Sequence, residues 1–284
     1  MNRKIVYLTL LLSFVLNNTY SQEQEPDKYT ASNKGKIFVY WGGNRGNFTD
    51  SDITFKGKNY NFRLNDVVSR DKPKGYHIDY INPLRLTIPQ TNARIGYFFT
   101  DNYNISIGLD HMKYVVIPNQ QVDITGSINL PENQDGASFN GIYNNDEITL
   151  TKDFLQFEHT DGLNFINIEV GRIDDISSIF GIRNTDVFQV NITEGLGGGL
   201  LYPKTNAVLL GNERNDEFHL SGYGVSLKGG LNLTFLKYFF VQLELKGGYI
   251  DLDDIRTTRS SEDTASQDFL FLERIIALGG RFRI

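Results

Sequence analysis

From Ile276 to the end of the chain every second residue (Leu278, Gly280, Phe282, Ile284) is apolar or small, with Gly279, Arg281 and Arg283 among the residues between. A period of two puts successive side chains on opposite faces of a strand, and the pattern recurs along the chain. In 36–48, Ile37, Val39 and Trp41 alternate with Phe38, Tyr40 and Gly42, leaving the facing open. Ala93, Ile95, Tyr97 and Phe99 alternate with Asn92, Arg94 and Gly96. After a tight turn at Asp101-Asn102, Tyr103, Ile105, Ile107 and Leu109 alternate with Asn104, Ser106, Gly108 and Asp110, an antiparallel hairpin. Ile166, Ile168 and Val170 face away from Asn167, Glu169 and Gly171, and Phe188, Val190 and Ile192 away from Gln189, Asn191 and Thr193. Glu194 falls on the apolar phase, which predicts a bulge or strand end beside it. Tyr223, Val225, Leu227, Leu231 and Leu233 oppose Gly224, Ser226, Lys228, Gly230 and Asn232. Phe239, Val241, Leu243, Leu245 and Tyr249 oppose Gln242, Glu244, Lys246 and Gly248, and the closing strand starts at Asp268.

Eight strands result, with long connections after the first, third, fifth and seventh and shorter ones between. Such asymmetry belongs to an all-β, antiparallel, up-and-down transmembrane β-barrel with long external loops and short periplasmic turns. The barrel is expected over 36–284, with external loops at about 49–89, 117–161, 203–216 and 252–267. A short hairpin is expected around Gly57-Lys58-Asn59, and 121–130 and 147–157 read as strand-like. Ten strands follow if those last two pieces also cross the membrane. A secreted β-sandwich is the alternative fold.

The leader changes the picture most. Arg3 and Lys4 precede an apolar run at 5–16, and 17–21 lead to cleavage before Gln22, so 1–21 read as a signal peptide and 22–35 as a short periplasmic tail. Twelve apolar residues are too few for a spanning helix, which needs about 20, and no Cys is present to carry a lipid anchor. Taking the leader's two cations from 28 Lys+Arg leaves 26 against 34 Asp+Glu, a formal charge of −8. That excludes an electrostatic nucleic-acid binder. Without cysteine there is neither a disulfide framework nor a thiolate metal site. A mean hydropathy of −0.32 fits a barrel, in which only alternate residues meet lipid.

The pattern resembles the small outer-membrane β-barrel proteins of Gram-negative bacteria, the OmpA/OmpX-like transmembrane barrels and their uncharacterised relatives with enlarged loops. Gly279, Phe282 and Ile284 match the C-terminal assembly signal of that class, while Ala277 stands where it has a polar residue and Ile284 where it ends in Phe. The resemblance implies an outer-membrane location and contact with membrane lipids, lipopolysaccharide and the barrel-assembly machinery. It also implies an extracellular ligand of unknown identity for the loops. No further domain is expected after the closing strand.

The inward phase collects Arg94, Asp110, Glu169, Lys228, Glu244, Lys246, Glu273, Arg281 and Arg283. An eight-stranded barrel has room only for its own side chains, and isolated buried charges are costly. The nine groups are therefore expected to pair as a plug, in preference to a gated channel. Trp41, Phe99, Tyr103, Phe235, Tyr238, Phe239 and Tyr249 sit near strand ends, as an interfacial aromatic girdle would.

Candidate chemistry is sparse, and no cofactor is expected. His219-Leu220-Ser221 resembles the His-x-Ser arrangement of lipid A deacylases, with Glu244 or Asp251 as an imaginable orienting acid. A polar strand extension is the preferred reading. His159 is expected as a solvated loop residue, His111 as an outward group near headgroups, and His77 as a loop residue without a partner. Asp251, Asp253 and Asp254 read as solvated loop charge instead of a calcium site, since they lack EF-hand spacing. Gly195, Gly197 and Gly199 alternate in a strand, so close packing inside the barrel is favoured over a phosphate loop. The leading expectation is a non-enzymatic envelope or surface-interaction protein; a narrow solute channel and an outer-leaflet lipid hydrolase using His219 and Ser221 are the alternatives.

Overall fold

The computed structural model describes residues 32–75 and 90–283. The expected leader and most of the tail, His77 and Ile284 lie outside the described residues. The strands in chain order are β1 (Lys36–Phe48), β2 (Ser51–Gly57), β3 (Tyr60–Val67), β4 (Ser69–Arg70), β5 (Thr91–Phe98), β6 (Tyr103–Val116) and β7 (Gln121–Ile128). They continue with β8 (Gly141–Thr149), β9 (Leu155–Asp175), β10 (Phe188–Leu201), β11 (Asn206–Leu209), β12 (Gly222–Phe235), β13 (Phe239–Arg256) and β14 (Thr264–Arg283).

Eight of them, β1-β5-β6-β9-β10-β12-β13-β14, pair in antiparallel sequence, and β14 returns to β1 from Lys36↔Arg283 to Phe48↔Phe271. The ring is closed, so no barrel strand is left with an unpaired edge. These are the eight strands that the alternation predicts. Along them exposed and buried residues alternate. Ile105, Ile107, Ile166, Ile168, Val170, Leu227, Leu243, Leu245, Ile276 and Leu278 point outward and exposed, and Arg94, Asp110, Glu169, Lys246 and Glu273 point inward and buried. A closed barrel with an apolar outside and a polar inside satisfies its backbone internally and matches lipid.

The sequence reading departs from the structure above the membrane. Of the two strand-like pieces of the second loop, 121–130 holds β7, which pairs with β3 and β8 outside the ring, while 147–157 is no single strand but the end of β8, a turn and the start of β9, so the ten-strand alternative does not hold. The hairpin at Gly57-Lys58-Asn59 joins β2 and β3, and β2 pairs the outer end of β14 through Ile53–Lys56 and Thr264–Gln267. A sheet β14-β2-β3-β7-β8 therefore rises from the barrel rim, while β11 flanks β9 and β4 flanks β6. Ile53, Phe55, Phe62, Leu64, Ile124, Phe154 and Phe157 bury almost completely between these elements. What the sequence reads as long loops is a folded external head with its own core.

Glu194 is a second correction. It lies on the exposed phase of β10, and the ladder runs through it to Arg172 on one side and Gly229 on the other with no register shift. No bulge is needed, because Arg172 is the next side chain across the ladder.

Candidate functional site

The lumen is stacked in tiers. In the middle tier Arg94 Nη2 lies 2.8 Å from Glu169 Oε1, and Lys246 Nζ lies 2.7 Å from both Asp110 Oδ2 and Glu169 Oε1. Lys228 Nζ bridges Glu169 Oε2 at 2.6 Å and Glu244 Oε2 at 3.2 Å. Uncharged groups complete the shell: Asn92 and Asn167 donate to Asp110, while Arg94 donates to Tyr40 Oη, Ser106 Oγ and Asn167 Oδ1. Glu273 is fully buried in the same tier. Charges buried this deeply persist only where partners surround them. Glycines supply the space. A Cβ on Gly108 would stand 2.5 Å from the Arg94 guanidinium, and one on Gly197 would collide with the Glu169 side chain.

Toward the periplasm an amide tier follows, in which Asn191 donates to Asn232, Asn232 to Gln242 and Gln242 to Thr193. Below it Phe38, Phe98 and Phe240 close the barrel, with the Arg281 guanidinium over Phe98 at 5.1 Å and Phe240 at 5.8 Å. Arg281 Nη1 donates to Asn33 Oδ1 at 2.9 Å, so its place is in the aromatic tier and not among the carboxylates. Arg283 lies outside the lumen altogether, exposed at the periplasmic rim, where it donates to the Lys34 carbonyl. Ala277 packs inward between Gly42 and Gln242 across the ladder, and a Cβ on Gly42 would stand 2.5 Å from the Ala277 Cβ, so the space at this point of the lumen suits a small side chain. The inward aromatic residues escaped the alternation because Phe38 and Phe98 each have apolar neighbours on both phases. Between the tiers a cavity of ≈ 40 Å³ remains, lined in part by Tyr40, Asn104, Gln242 and Arg281.

At the outer mouth Tyr114 stacks on Phe269 at 5.0 Å, with Phe48 at 5.2 Å from Tyr114 and Phe165 against Phe271. His159 is here, not in a solvated loop. It is wholly buried, its Nδ1 within 2.9 Å of Thr205 Oγ1 and its Nε2 accepting from Gln267 Nε2 at 3.1 Å, and burial pushes its pKa down to about 3. The loop prediction fails because β9 begins eleven residues before Ile166 and carries His159 into the head core. His111 likewise does not reach headgroups. It is buried with Nδ1 2.7 Å from Asn164 Oδ1, and Asn164 is held in turn by the Tyr202 carbonyl.

The deacylase-like arrangement does not assemble. Ser221 is buried, and its hydroxyl donates to the His219 carbonyl at 3.3 Å instead of meeting the imidazole. His219 Nε2 pairs with Asp254 Oδ2 at 2.8 Å, whereas Glu244 is in the lumen and Asp251 bonds Tyr223. A register shift in β13 between Leu252 and Ile255 turns the Asp253 and Asp254 amides onto the Ser221 carbonyl, which scatters the acidic cluster. Among the described residues no group of three acids or histidines is placed to hold a metal ion. Of the assembly-signal residues, Gly279 is required by the Phe240 ring against it and Phe282 faces outward.

Exposed aromatic residues mark both rims. Phe99 and Tyr103 stack at 6.4 Å near the periplasmic turns, where Phe235, Tyr238 and Phe239 are also exposed. Tyr223 and the stacked Tyr202–Phe218 pair are exposed toward the outer rim, with Tyr249 half-buried beside them, whereas Trp41 is half-buried midway along β1, opposite Leu278, and not at a rim.

Closed ring, apolar belt and folded external head together define an integral outer-membrane β-barrel protein. No protein-family model matches the chain, and no curated protein does. Among solved structures it is similar to OprG of Pseudomonas aeruginosa (10% identity, 89% of this chain and 99% of that one, TM-score 0.40). It is also similar to Ail, the attachment invasion locus protein of Yersinia pestis (11%, 88% and 99%, 0.33) and to Neisserial surface protein A (8%, 88% and 98%, 0.33).

Proposed function

We propose that the protein is a non-enzymatic surface-interaction protein whose barrel is an anchor and whose external head binds an extended, cationic segment of an extracellular partner. The observation that carries this reading is β8. It is the last strand of the head sheet, paired only to β7 among the described residues, and Ile142 on it is 89% exposed. An open sheet edge can accept another strand through its backbone. Charge selects the occupant. Residues 117–161 hold Asp123, Glu132, Asp135, Asp146, Glu147, Asp153, Glu158 and Asp161 against Lys152 alone. A second copy of the same acidic edge would be repelled, and a bulge at Asn145 (φ 60°) further blunts self-pairing. A basic strand is attracted. The filled lumen speaks against the channel reading, and the separation of Ser221 from the His219 imidazole speaks against the hydrolase reading.

The test is retention of proteoliposomes on surfaces coated with poly-lysine or poly-glutamate. The wild type is expected on poly-lysine only. Asp123→Asn, Asp146→Asn and Glu147→Gln together should lower retention by roughly tenfold at low salt, and neutralising Glu213, Glu217 and Glu262 should not. Equal loss from both triple variants would remove the assignment to β8.

A further inference from the structure

One side of the acidic head gathers cations. Arg70 on β4, Val115 on β6, Glu158 on β9 and Asn206 on β11 stand in one row, each the direct partner of the next across the sheet. Side chains directly opposite each other in a sheet are about 5 Å apart, so the row makes one continuous face. A pocket of ≈ 280 Å³ opens on it. The buried Val115, Leu155 and Phe157 line its floor, and the exposed Arg70, Lys72 and Lys152 stand around it.

Among the described residues Glu158 is the one carboxylate lining this pocket, and its charge is already met. Its Oε2 lies 3.1 Å from Lys72 Nζ, and its Oε1 accepts from Asn206 Nδ2 at 2.8 Å. With that pair cancelled, Arg70 and Lys152 remain, and neither makes an ion pair or side-chain hydrogen bond with a described residue. Asp71, beside Arg70 in sequence, is committed elsewhere, accepting from the Gly46 amide and from Gln90 Nε2. Neither Asp71 nor Asp153, beside Lys152, lines the pocket. Two uncommitted cations thus stand over an apolar floor, the reverse of the charge of the surrounding loop.

Height and volume narrow the occupant. Ile107 on β6 and Ile166 on β9 are exposed on the lipid side, and Val115 and Glu158 lie eight residues beyond them on the same strands. At about 3.4 Å per residue and a tilt near 40°, eight residues rise ~20 Å. The pocket therefore faces the external medium and not acyl chains. Its volume falls just under the range of about 300–1,000 Å³ usual for small-molecule pockets, so the ligand is small.

We propose that this pocket binds a small organic anion from the external medium, a phosphate monoester or carboxylate carried on an apolar body the size of one ring. Arg70 offers a planar fork to the anion, Lys152 adds a point charge, and the apolar floor takes the ring. The site is separate from the β8 edge, since Asp123, Asp146 and Glu147 do not line it.

The probe is para-fluorophenyl phosphate, titrated against the full chain in an uncharged maltoside detergent and followed by fluorine NMR, with empty micelles as the blank. Saturable binding is expected, and Arg70→Gln with Lys152→Gln should weaken it by roughly tenfold or more. Lys56→Gln with Lys58→Gln removes the same charge from exposed positions of the β2–β3 hairpin and should leave the affinity unchanged. Inorganic phosphate should compete only at roughly tenfold higher concentration, because it leaves the floor unfilled. Heat-modifiable migration confirms that each variant is folded. Absence of saturable binding to the wild type, or unchanged affinity in the Arg70 and Lys152 variant, would overturn the proposal. So would equal weakening in both double variants, which would reduce the effect to the general field of the head. Competition by inorganic phosphate at equal concentration would also overturn it, by leaving a plain anion site without an apolar subsite.

Discussion

His159 is the residue whose chemistry is most altered by the fold. Its neutral ring is packed against Tyr114 and Phe157, with one nitrogen facing Thr205 and the other accepting from Gln267. An unfolded chain protonates this ring as the pH falls through 6.5, whereas the folded head resists until about 3. The contribution of the buried neutral ring is thus complete above pH 6.5 and lost progressively below it, by about 2 kcal/mol at pH 5. Hydrogen exchange of head amides at pH 7.5 and pH 5 should show easier opening at the lower pH, and His159→Gln should remove this part of the difference. An equal acid response in the variant would assign it to the carboxylates. The sequence could not show this role. A strict period of two exposed Arg94, Asp110, Glu169 and Lys246 as inward groups. Glu158-His159-Thr160-Asp161 is polar on both phases, so only tertiary packing reveals that it is buried.

At the scale of elements, barrel and head share strands. β9, β13 and β14 run from the periplasmic rim into the head, with register shifts where β9 passes β6 near Gly162 and in β13 between Leu252 and Ile255. The membrane portions were legible because lipid on one side and side chains on the other enforce alternation. The head was legible only in pieces, the Gly57-Lys58-Asn59 hairpin and the run 121–130 that holds β7; most of β8 was missed, and 147–157 merged its end with the start of β9. Whether such runs cross the membrane depends on which strand they pair with, and no local pattern encodes that. The head's own core makes a prediction. Phe62 is buried and stacks on Phe55 at 5.2 Å, so Phe62→Ala should destabilise the head by about 3–5 kcal/mol. Amides of β2, β3 and β7 should then exchange faster while those of β10 and β12 keep their protection. Equal acceleration in both sets would mean that head and barrel open as one unit.

At the scale of the molecule, three different chemistries block one axis: stacked rings and His159 at the outer mouth, paired charges in the middle, and Phe38, Phe98, Phe240 and Arg281 at the periplasmic end. Each tier fills space in its own way, so opening one leaves the others in place. In the function proposed above, the barrel is the membrane anchor and binding falls to the acidic head. The most direct test is single-channel recording of the refolded full chain in planar bilayers, with insertion confirmed independently. The account predicts silence across the voltage range the bilayer withstands. Discrete, reproducible openings from inserted wild-type protein would contradict it, because they require a continuous aqueous path through all three tiers.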